Sequence, residues 1–128
     1  MKQKWLYWIS TALLCAMYLM GVVFYALNME EAQKGYVAMG YPAYLAPIML
    51  VVKLAGVVAI LARFSVALSD LAYAGMFFHL LLALAAHIGS GIGNPIGAVI
   101  GLLLLAASFF TQNYARKKKS PYGGSPKA

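Results

Sequence analysis

The stretch "LVVKLAGVVAIL", residues 50–61, is a run of aliphatic side chains, alanine and glycine interrupted by a single lysine, Lys53. Extended to its apolar limits it covers residues 43–62, about the 20 residues with which a helix crosses a bilayer's hydrocarbon core. Three further runs, 5–27, 71–88 and 95–114, are of similar length. All are continuously apolar rather than alternating, which favours helices over the ten-residue strands of a membrane barrel. The expected fold is an all-α integral membrane protein, an antiparallel bundle of four transmembrane helices over residues 1–114. Composition agrees: 63% of the 128 residues are hydrophobic and 10% charged, against about 25% charged in an ordinary soluble domain.

The basic start "MKQK" resembles the opening of a secretory signal, but the apolar run behind it is too long for a signal core and lacks a small-residue cleavage pattern. It is expected to be a retained first helix. With four spans, Lys2, Lys4, Arg63, Arg116, Lys117, Lys118, Lys119 and Lys127 share one side, and Lys34 lies alone on the other. That bias places both termini in the cytoplasm. The net charge of +7 is concentrated in "RKKK", 116–119, next to the last span, a position suited to lipid headgroups rather than nucleic acid. Residues 115–128 read as a basic tail whose Ser, Pro and Gly content predicts disorder.

Ten Leu, Ile and Val in the second span, at about −0.3 to −0.6 kcal/mol each, outweigh roughly +2.5 to +3.5 kcal/mol for a central lysine. Insertion is therefore affordable with Lys53 about 15 Å from either face, too deep for its stem to reach water. The only acids, Glu30, Glu31 and Asp70, lie at helix ends, so the lysine needs a neutral neighbour, a ligand or another chain. Counted from the same face, His79 and Cys15 fall at the depth of Lys53. Thr11, Cys15, Tyr18 and Tyr25 form a polar stripe on the first helix, and Ala72, Gly75, His79, Ala83 and Ala86 a small-residue stripe on the third. Lys53, His79, Tyr18 and Cys15 are thus expected to line a polar intramembrane pocket, since ionisable groups at such depth are functional candidates.

One cysteine excludes dithiol chemistry within the chain and a cysteine-rich zinc site. The methionines lack the spacing of a Cu(I) site and are read as packing, so no metal is expected. Gly97 and Gly101 make a GxxxG face for close helix packing, in the bundle or in a homodimer.

Two segments carry a family resemblance. "MGYPAYLAPIMLVVKLAGVVAIL" (39–61) and "LAYAGMFFHLLLALAAHIGSG" (71–91) contain Gly-Tyr-Pro, Lys-Leu-x-Gly, Ala-Tyr-Ala-Gly and Ala-His in the order and spacing of the DoxX-like small membrane proteins. The motif positions are Gly40, Tyr41, Pro42, Lys53, Gly56, Tyr73, Gly75 and His87. The chain departs from the family pattern in "LARFSVALSD", where a proline-containing turn is expected. The resemblance implies a four-helix protein of the bacterial inner membrane. Its relatives include a membrane subunit linked to thiosulfate oxidation and quinone reduction, a partner in redox-stress complexes, and animal proteins that help assemble receptors. It therefore implies an accessory or anchor subunit of a quinone-linked redox system, with a membrane assembly or lipid-binding role as the alternative. Quinone is the one cofactor it suggests, and a homo-oligomer or a membrane or redox protein the partner.

Overall fold

A computed structural model describes residues 2–123. It contains five helices and no strand among the described residues: α1 Lys2–Leu27, α2 Met29–Ala38, α3 Leu45–Ala62, α4 Val66–Ser90 and α5 Ile96–Ala115. Four of them, α1, α3, α4 and α5, are long and apolar enough to cross a membrane. The spans match the expected segments to within three residues at each end, except that α4 starts five residues earlier than position 71. The Ser65 hydroxyl accepts from Leu68 N at 3.3 Å, an N-cap that recruits most of the supposed loop into the helix. The turn between α3 and α4 is thereby cut to Arg63, Phe64 and Ser65, with Arg63 in the left-handed region (φ 51°).

The four long helices close a ring in which α1 packs on α5 and α3, and α4 packs on α3 and α5. The short α2 lies against α1 and α3, and Gly40 (φ 94°) supplies the backbone turn that leads from it into Tyr41 and Pro42. At the core, Leu14, Cys15 and Tyr18 of α1 meet Val57 and Ile60 of α3, Tyr73, Met76 and Leu80 of α4, and Leu105 of α5. The outward faces carry exposed Met20, Val51, Leu71, Phe78, Leu82 and Leu103. An apolar exterior of this kind suits lipid rather than water.

Helix α5 turns Ala98, Gly101, Leu105, Ser108 and Gln112 inward, steps of three and four along one helical face. Gly101 is buried, and a Cβ there would meet Met17 Cε at 2.7 Å and Leu80 Cδ2 at 2.9 Å. Gly97 falls off this face, is exposed, and would meet nothing. The expected pair thus contributes only Gly101 to packing inside the bundle.

At the basic end the chain after α5 folds back over the helix ends. Arg63 is 3% exposed; its Nε and Nη2 donate to Lys118 O at 3.1 and 2.6 Å, and its Nη1 to Gln112 Oε1 at 2.9 Å and Ser69 Oγ at 3.3 Å. Asn113 and Ser120 exchange two bonds of 2.7 Å, and the Ser120 hydroxyl donates to Asp70 Oδ2 at 2.8 Å. Arg116 reaches Tyr7 OH and Leu61 O, and Lys119 reaches Asn113 O and Arg116 O. Residues 116–123, within the stretch expected to be a disordered tail, are thus tied to the helix ends by these hydrogen bonds. Basic side chains there cap the carbonyl ends of α3 and α5, where the helix dipole favours cations. Residues 124–128 of that expectation lie outside the described residues.

Candidate functional site

Lys53 lies eight residues from Leu45 and nine from Ala62 along α3, about 12 to 13.5 Å from each end. Its side chain is half-buried, and its amine stands over the Tyr25 ring, 4.2 Å from the centroid. A Cβ built at Gly21 would lie 3.3 Å from Lys53 Nζ, so the amine rests against α1 where a side chain is missing. One turn further along α1, Tyr25 OH shares a hydrogen bond of 2.7 Å with Tyr36 OH on α2. The rings of Tyr25, Tyr36 and Tyr41 follow one another edge to face, with centroids 5.9 and 6.1 Å apart. Burial, followed by the bond to Tyr25, pushes the Tyr36 phenol above the ordinary tyrosine range.

Across the ring of helices, Tyr18 OH and His79 Nδ1 are 2.9 Å apart, joining α1 to α4. In either tautomer the imidazole keeps a second polar nitrogen, Nε2, for another partner. Tyr18, Lys53 and His79 line one end of a groove of about 300 Å³ between α3 and α4. Gly56, Ala59, Ala72, Gly75 and Met76 continue it toward Leu68. From His79 to Leu68 is eleven residues of α4, about 16 Å. Val52 and Leu71 at the rim are exposed, so the groove opens sideways, toward where lipid would lie. Its polar groups are gathered at one end, near mid-helix.

Three of the four expected pocket residues thus come together. Cys15 does not: its thiol is buried in the apolar core and lines no groove described. Equal depth of Cα atoms misled because a helical side chain leans toward its own N-terminus. Lys53 is carried toward the Leu45 end of α3, where α1 presents Gly21 and Tyr25, about 9 and 15 Å of helix beyond Cys15. Tyr36 and Gly21 were the residues missed, and this lean was the signal that would have found them.

The motif positions divide among three tasks. Gly40, Tyr41 and Pro42 end the tyrosine ladder that starts at Lys53. Gly56 and Gly75 line the groove; a Cβ at Gly75 would meet nothing, while one at Gly56 would meet Met76 Cε at 3.2 Å. Tyr73 is buried and its hydroxyl bonds Ser108 Oγ at 2.6 Å, which in turn bonds Thr11 Oγ1. This knot ties α4, α5 and α1 on the basic side of the core. His87 Nδ1 donates to Ile92 O at 2.7 Å and packs on Gly93, a staple for the turn between α4 and α5. No three His, Cys, Asp or Glu gather as a metal site among the described residues.

A second groove, about 690 Å³ between α4 and α5, is lined by Tyr73, Phe77, Phe109, Phe110 and aliphatic residues, with Asp70 and Tyr122 as further lining. It is larger but holds no basic or imidazole group, so the smaller groove is the chemical candidate. In comparison with known sequences, the family model described as the DoxX-like family matches residues 9–110. No curated protein and no solved structure matches the chain.

Proposed function

The chain belongs to the DoxX-like family of membrane proteins, and from that premise we propose that it is an accessory or anchor subunit of a quinone-linked redox system in the bacterial inner membrane. In this reading the helices run antiparallel with both termini in the cytoplasm, the side favoured by the basic residues. The observation that carries the proposal is Lys53 itself. Its amine contacts the π face of Tyr25 and is given no hydrogen-bond acceptor or carboxylate among the described residues. An ammonium has donors only, so its unspent N–H groups suit a ligand that offers acceptor oxygens.

The placement of those donors narrows the ligand. A phospholipid keeps its polar head at the interface, whereas the polar end of this groove is near mid-helix and the remainder is apolar. A quinone carbonyl against Lys53 or His79, with the ring and first part of its tail along Gly56 and Gly75, satisfies both requirements. The protein's contribution is binding and orientation, and electron transfer falls to a partner or another copy in the membrane.

The test is purification in mild detergent followed by lipid extraction and mass spectrometry. Wild type is expected to carry quinone, and Lys53→Met to carry at least fivefold less. Absence of quinone from both preparations, with a stoichiometric membrane protein recovered by cross-linking, would replace this reading with an assembly role. The larger α4/α5 groove would then be the surface to map.

A further inference from the structure

The lysine amine rests against α1, and the residues it rests on, Gly21 and Tyr25, belong to neither α3 nor α4. We infer that Gly21 and Tyr25 form a seat for the Lys53 amine, and that α2 fixes this seat through the Tyr36 hydroxyl. Tyr25 and Tyr36 are then positioning residues, and Lys53 is set from the tyrosine end of the bundle.

Each link is geometric. Gly21 removes the side chain that would otherwise fill the space 3.3 Å from Nζ. The Tyr25 ring supplies an electron-rich face at 4.2 Å, within the range where a cation is attracted to an aromatic ring and most effective where water is excluded. That ring is held at two places, by its hydroxyl on Tyr36 at 2.7 Å and by edge contact with the Tyr36 ring. Tyr36 is itself backed by Tyr41, just after the turn at Gly40. A displacement of α2 therefore tilts Tyr25 and changes where the amine stands relative to His79 and the groove. Anything that binds α2 more tightly in one of those arrangements also changes ligand affinity in the groove, and the reverse holds by linkage. This last coupling rests on the proposed quinone reading; the seat does not.

The seat is tested by the reaction of Lys53 with phenyl isothiocyanate, a membrane-permeant amine reagent, in detergent-solubilised full-length protein. Peptide mass spectrometry gives its rate relative to the exposed Lys4. A seated amine reacts slowly, and Tyr25→Leu is expected to raise the ratio at least fivefold. Tyr36→Phe, which keeps the ring and removes only the hydroxyl, is expected to raise it two- to threefold, and Tyr25→Phe to match it. Tyr44→Phe, at an exposed position, is the control. The inference is overturned if folded Tyr25→Leu and Tyr36→Phe both keep the wild-type ratio, or if Tyr44→Phe raises it equally. A folding failure of Tyr25→Leu leaves the two conservative variants to decide. Adding a short-chain ubiquinone analogue is expected to slow Lys53 modification in wild type. Failure to protect, with the Tyr36→Phe effect intact, would overturn the quinone reading and leave the seat standing.

Discussion

The basic end of the bundle and the Lys53 half both place cationic side chains among apolar helices, yet their partners come from different sources. At the basic end the chain supplies them: Arg63 alone donates to Lys118 O, Gln112 and Ser69. Among the described residues, Asp70 Oδ1 is the one buried side-chain nitrogen or oxygen lacking a hydrogen-bond partner. In the other half the Lys53 amine has an aromatic face and spare donors. A satisfied cation reads as architecture, because removing it strands its partners; an unsatisfied one reads as a site, because little in the protein depends on it.

Stability measurements on the two cations are the direct way to break this contrast. Arg63→Ala is expected to cost on the order of 3 kcal/mol, since several buried acceptors lose their donor at once. Unfolding in mixed micelles gives that cost, and faster trypsin cleavage at Lys117–Lys119 reports undocking of the tail. Lys53→Met is expected to shift stability by less than about 1 kcal/mol, because loss of one cation–π contact is offset by relief from desolvating an amine. Equal losses in the two variants would erase the distinction. The smallest effect concerns α2. A phenol held above its ordinary value favours folding while neutral, so the contribution is intact below about pH 10, the unfolded value, and is lost as pH rises beyond it. Docking of α2, followed by amide exchange, is expected to weaken above that pH in wild type and to lose this dependence in Tyr36→Phe.

The spans and their number were legible because twenty apolar residues leave a chain few alternatives. Lys53, His79 and Tyr18 were legible because polar groups are rare at that depth. What escaped was local chemistry. The Ser65 cap that lengthens α4, and the tail that covers Arg63, depend on hydrogen bonds between positions whose composition alone reads as loop or disorder. Cys15 was misplaced because depth was counted by Cα, ignoring the direction in which a side chain leaves its helix. Of the glycine pair, spacing alone did not tell which member faces the bundle: Gly101 turns inward and Gly97 lies on the exposed face of α5.

The Arg63 clamp also sets a timetable for synthesis. Its main acceptor, Lys118 O, is 55 residues later in the chain, roughly 3 to 11 s away at ordinary speeds of synthesis. Until then Arg63 lacks Gln112 and Lys118 and has only Ser69 among its side-chain partners, and α1 is without α5, the helix it packs against most extensively. Bundle closure is therefore a late event that the last helix and its trailing residues complete together, and a ribosome stalled before residue 118 would hold an open three-span intermediate.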